Sequence, residues 1–110
     1  MLNVRLYIAQ RVTALVMAPF VLVHLGVMIY AIRGGVTSAE ILGRTQGSAG
    51  WFLFYGGFVL AVSIHAAIGL RVITHELAGW SGARLEALMW GAGAILLALG
   101  GWSVIAVTWP

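Results

Sequence analysis

The chain has 110 residues, of which 62% are hydrophobic and only 8% charged, where a soluble domain carries roughly 25% charged residues. Its net charge of +3 comes from six arginines against three glutamates, with no lysine and no cysteine. Disulfides, zinc–thiolate sites and iron–sulfur clusters ligated by this chain are thereby excluded, and the scattered arginines point to membrane-helix ends, not to nucleic acid.

Arg5 and Arg11 precede the first apolar run, Val12–Ile32. No small-residue cleavage pattern follows Ile32, only Arg33-Gly34-Gly35, so the run is expected to be retained. Pro19 is expected to kink it one turn before His24. The next stretch, Arg33–Gly50, holds Arg33, Glu40, Arg44 and glycines at 34, 35, 43, 47 and 50. Within it Thr37-Ser38-Ala39-Glu40 matches a capping box and predicts a short interfacial helix over Ala39–Arg44. A second apolar run covers Trp51–Val72. Ile73–Glu86 follows, with His75, Glu76, Arg84 and a Gly79-Trp80-Ser81-Gly82 turn, and the third run is Ala87–Thr108.

Each run is long enough to cross a bilayer, which takes about 20 residues at ~1.5 Å per residue. The expectation is an all-α membrane protein: three transmembrane helices (12–32, 51–72 and 87–108) in a single domain, residues 1–110, forming part of a larger helix bundle. Arg5, Arg11, Arg71 and Arg84 fall on one side, Arg33 and Arg44 on the other. That asymmetry predicts a cytoplasmic N-terminus and an outer C-terminus. Tyr7, Tyr30, Trp51, Trp80, Trp102 and Trp109 sit near the expected boundaries, as interface anchors do. Small residues crowd span two (Ala66, Ala67, Gly69) and span three (Gly91, Ala92, Gly93, Ala94, Ala98). In span three, which carries no ionisable side chain, they read as helix packing.

Two histidines lie in charge-free stretches: His24 in Val16–Ile32 and His65 in Trp51–Leu70. An ionisable side chain at bilayer depth is a functional-site hypothesis by default, and imidazole is the commonest metal ligand. The competing reading is helix glue, polar contacts worth about 1 kcal/mol each. Four residues past His65, Gly69 shares its helix face and leaves room for a flat ligand such as a porphyrin. Arg71 lies six residues on, about 9 Å toward the cytoplasm, where a guanidinium suits a haem propionate or serves as a positive-inside flank.

His65-x-x-x-Gly69-Leu70-Arg71, followed by Glu76, resembles the second-helix motif of the cytochrome b anchor subunits of succinate dehydrogenase and fumarate reductase. Gln10-Arg11-Val12-Thr13-Ala14 resembles their first-helix entry, His-Arg-x-Ser/Thr-Gly, with Gln10 in place of His and Ala14 in place of Gly. The resemblance spans about two-thirds of the chain. It implies a multi-pass subunit of the bacterial inner membrane that anchors a flavoprotein and an iron–sulfur subunit, with the dicarboxylate site on a partner chain. Electrons would pass between the iron–sulfur subunit and a membrane quinone. His65 would ligate the iron of a haem b, Arg71 hold a propionate, and Arg11, Tyr7 and Thr13 help form the quinone site. Arg11, Tyr7 and Glu76 are the candidates for delivering protons there. His75 is read as an interface residue.

His24 has its counterpart in members with two haems. It stands 13 residues past Arg11, about 20 Å, against about 9 Å between His65 and Arg71, so the two histidines are expected to differ in height by up to ~10 Å. The expected arrangement is two haems, His24 ligating one nearer the outer face and His65 one nearer the cytoplasm, each completed by a second membrane subunit or another copy of this chain. One haem clamped by both His24 and His65 is the rival geometry. A cofactor-free structural anchor is the alternative to both. A small transporter is disfavoured, since Glu40, Glu76 and Glu86 all fall at or beyond helix ends.

Overall fold

The computed structural model describes residues 3–110. Among them are four helices and no strand: α1 (Val4–Arg33), α2 (Ser38–Thr45), α3 (Ala49–Ala78) and α4 (Gly82–Thr108). Helices α1, α3 and α4 are each long and apolar enough to cross a membrane. At ~1.5 Å per residue they run about 40–45 Å, in keeping with the 47 Å long axis of the molecule.

The expected spans lie inside these helices, but the helices are longer. α1 starts at Val4, not Val12; α3 ends at Ala78, not Val72; α4 starts at Gly82, not Ala87. Hydropathy marks where hydrocarbon ends, whereas backbone hydrogen bonding continues into the interfacial layer. Arg5, Arg11, Arg71, Arg84 and Glu86 are therefore all helical. α1 stays helical through Pro19. The short helix α2 forms as its capping box predicts. Thr37 Oγ1 accepts from the Glu40 N–H at 3.2 Å, and Glu40 Oε1 accepts from the Thr37 N–H at 3.4 Å.

Helix α3 is central and packs against both α1 and α4. Its hairpin with α4 turns at Gly79, whose φ of +69° suits glycine and whose N–H reaches the His75 carbonyl at 3.2 Å. The small residues of α4 divide in their roles. A Cβ at Gly93 would lie 3.3 Å from the Ala67 Cβ, and one at Gly100 only 2.5 Å from Val59 Cγ1, while one at Gly91 would meet nothing within 4 Å. Close approach of α3 and α4 thus rests on Gly93 and Gly100. At the far end α2 is tied to α4: Thr45 Oγ1 donates to the Val107 carbonyl at 2.7 Å and the Gly47 N–H to the Thr108 carbonyl at 2.8 Å.

Little of this surface is buried within the chain. α1 buries only Thr13, while Leu15 and Leu22 are 79% and 69% exposed. An apolar surface this extensive is compatible with lipid and neighbouring helices, not with water.

Candidate functional site: two imidazoles on the α1–α3 seam

Contacts across the seam fix an antiparallel register. Gln10 faces Gly69, Thr13 faces His65, Phe20 faces Gly57, and His24 faces Tyr55 and Phe58. His24 therefore lies eleven residues along α1 from the level of His65, or about 16 Å. This exceeds the ~10 Å expected from arginine counting. That estimate set Arg11 and Arg71 at one height, whereas the register puts Arg11 about one turn deeper. Metal–nitrogen bonds are about 2 Å, so the two rings do not share one metal ion. Among the described residues no three His or Glu side chains converge as a chelating group either.

His65 is half-buried, with Nδ1 3.3 Å from Thr13 Oγ1. No hydrogen bond involves its Nε2 among the described residues. His24 is also half-buried. Its ring lies edge-on to Tyr55 (centroids 6.0 Å apart) and Phe58 (5.6 Å), and its buried Nδ1 has no hydrogen-bond partner among the described residues. An unsatisfied buried polar atom costs about 1–3 kcal/mol, more than a helix-glue contact of about 1 kcal/mol returns. At 3.6 residues per turn Tyr55, Phe58, His65 and Gly69 fall within about 80° of one another around α3. They form one polar and aromatic side of the seam. The apolar groove of about 410 Å³ between α1, α3 and α4, lined by Leu6, Ile64, Ala67 and Met89, opens on the other side.

The other sequence-predicted residues distribute unevenly. Gly69 shares the His65 face as expected, but the Gln10 amide covers it, with Nε2 3.6 Å from where a Cβ would stand. The Oε1 of Gln10 is buried without a partner among the described residues. Arg71 is turned about 120° around α3 from His65 and forms an ion pair with Glu86 on α4. Glu86 is not among the candidate site residues that the sequence offers. Its signal is symmetry, since Arg71 and Glu86 are nearly equidistant from the Gly79 turn and must meet once α3 and α4 pair. Tyr7 and Arg11 are exposed, with the guanidinium 5.5 Å from the ring centroid. Thr13, two residues past Arg11 and six past Tyr7, is buried in the seam and bonded to His65. His75 lies inside α3, where its Nδ1–H donates to the Trp80 carbonyl at 2.8 Å, and Arg84 covers the Trp80 ring at 3.9 Å. Both contacts stiffen the hairpin.

Comparison with curated proteins and with solved structures gave no match. A family model, that of the succinate dehydrogenase/fumarate reductase transmembrane subunit, matches residues 2–101. With three helices able to span a membrane and a match over nearly its whole length, the chain is a multi-pass membrane protein that belongs to this family.

Proposed function

We propose that the chain is a cytochrome b anchor subunit of a succinate:quinone oxidoreductase or fumarate reductase in a bacterial inner membrane, its N-terminus cytoplasmic. It holds haem b through His65 on the cytoplasmic side and His24 nearer the outer face. The remaining ligand to each haem would come from another membrane subunit or another copy of this chain, because α4 contains no histidine. The iron–sulfur subunit docks at the cytoplasmic end, beside the flavoprotein that carries the dicarboxylate site. When bound, haem supplies a one-electron carrier whose potential follows from axial ligand and burial.

One observation carries the reading. Two imidazoles in membrane-spanning helices each keep a ring nitrogen with no hydrogen-bond partner among the described residues, at two heights on one side of the seam. The orphaned Nδ1 of His24 fits a ligand from outside the chain. At His65 the fit requires Gln10, a flexible side chain, to swing away from Gly69. Arg71 has to exchange Glu86 for a propionate to act as the sequence suggests. Arg11 and Tyr7 supply a cation and a hydroxyl at the cytoplasmic interface, the donors a quinone oxygen needs.

The cofactor-free anchor has one observation in its favour, the Thr13–His65 contact, which bridges α1 and α3 as helix glue would. His24 bridges the same helices through ring contacts with Tyr55 and Phe58, and its buried Nδ1 has no hydrogen-bond partner among the described residues. The test is to purify the complex and record reduced-minus-oxidised spectra and pyridine haemochrome content for wild type, His65→Ala and His24→Ala. Loss of b-type absorbance in each variant is expected. Wild type without haem, or full haem content in both variants, rejects the proposal in favour of the cofactor-free anchor.

A further inference from the structure

Thr13 makes three close polar contacts. Its Oγ1 lies 2.7 Å from the Ala9 carbonyl, 3.1 Å from the Gln10 carbonyl and 3.3 Å from His65 Nδ1. A hydroxyl has one hydrogen and two lone pairs, and a carbonyl oxygen only accepts. The hydrogen therefore goes to Ala9, the shortest of the three contacts, in the back-bonded geometry that threonine adopts within helices. Toward His65 the oxygen is left with lone pairs alone. Nδ1 must then be the donor, and in a neutral ring the lone pair falls on Nε2. Thr13 is only 8% exposed, which leaves water little access to this contact.

We propose that Thr13 is the positioning residue for His65. By accepting from Nδ1–H it fixes the ring's tautomer and rotation, and presents Nε2 as the ligating nitrogen. This rests on the reading of His65 as an iron ligand, and it assigns to Thr13 a role toward the histidine in place of the quinone contact that the resemblance implied. A hydrogen-bond acceptor behind a ligating imidazole raises its basicity and holds its orientation, and loss of such a partner commonly costs 10–100-fold in metal affinity.

The experiment uses the intact complex with Thr13→Val, which keeps the shape and removes the acceptor, and Thr13→Ser, which keeps the acceptor. In Thr13→Val the haem that depends on His65 is expected to dissociate at least about tenfold more readily. Its reduction equilibrium constant rises about three- to tenfold, or about 30–60 mV at 59 mV per tenfold for one electron, because a weaker donor stabilises the oxidised iron less. Thr13→Ser restores both values. An unchanged potential and haem retention in Thr13→Val, with haem still lost in His65→Ala, overturns the role of Thr13 and leaves the ligand assignment standing. A second measurement is independent of haem: nitrogen-15 spectra of the full histidine-labelled chain in bilayers, with the His65 signals assigned by their loss in His65→Ala. Nδ1–H is expected in wild type and a mixture of tautomers in Thr13→Val. A wild-type Nε2–H tautomer refutes the inference whatever the haem content.

Discussion

Replacing Gly100 by alanine should loosen the α3–α4 pair, and the size of the effect follows from three distances. The new methyl carbon would stand 2.5 Å from Val59 Cγ1, 3.2 Å from Cγ2 and 3.4 Å from Cβ. Rotation of Val59 offers no escape, because both methyls and the branch point crowd the same spot and a helical valine has one strongly preferred rotamer. The helices must part by several tenths of an ångström or more, an overpacking cost of typically 1–3 kcal/mol. Against this, Gly→Ala in a helix interior gains about 0.5–1 kcal/mol. Gly91→Ala collects the same gain with nothing within 4 Å of the new carbon, so it serves as the control. Gly100→Ala should therefore fall about 1–3 kcal/mol below Gly91→Ala. Gly93→Ala should lie between them, since its Cβ would be 3.3 Å from that of Ala67. Val59→Ala in the Gly100→Ala background should recover most of the loss. Denaturant-induced unfolding of the full chain in mixed micelles gives the comparison. Equal stability of the Gly91 and Gly100 variants would show that α3 and α4 do not meet at Val59.

Glu86→Gln breaks the ion pair with Arg71, but the glutamate side chain is 49% exposed. A stability change under about 1 kcal/mol is expected in the same unfolding assay. Thr45→Val removes the donor to the Val107 carbonyl and leaves that acceptor unpaired at the α2–α4 junction. A loss of about 1–3 kcal/mol is expected, visible as faster amide exchange in α2 than in wild type. His24→Leu removes a buried nitrogen that has no partner among the described residues. The isolated chain should be no less stable than wild type, while haem per flavin in the purified complex falls by about half on the two-haem reading. A destabilised chain with unchanged haem would instead mark His24 as structural.

Much of this architecture is legible in the sequence because two physical signals are strong. Charge-free apolar stretches of about 20 residues fix the number of spans. The Thr37/Glu40 capping box fixes the start of α2, and Gly79 fixes the hairpin turn. Helix ends are not legible from hydropathy, because arginines and glutamates continue a helix comfortably once it has left the hydrocarbon. The site is legible in residue identity but not in partnership. His24 and His65 announce themselves by their cost in lipid. That Thr13, and not the Arg11–Tyr7 pair, reaches His65 depends on the α1–α3 register, and no local pattern encodes it. The Arg71–Glu86 pair is hidden for the same reason, since it is set by how α4 folds back. Charges sit at variable depth, so a height difference referred to the arginines comes out smaller than the one the contacts give.

The three histidines differ in how the chain meets their ring nitrogens. His75, at the end of α3, has its Nδ1–H taken by the Trp80 carbonyl of the adjoining turn, the economy of a residue that stabilises a loop. His65 likewise has Nδ1 engaged, across the helix seam, and neither ring has a hydrogen bond at Nε2 among the described residues. His24 has a buried Nδ1 that no described residue meets. A polar atom left unpaired in hydrocarbon is costly, so a histidine kept only for packing in a charge-free stretch should be satisfied there. His24 lies in such a stretch and its buried Nδ1 meets no described residue; on the proposed reading that nitrogen is open to a group that the chain receives from outside.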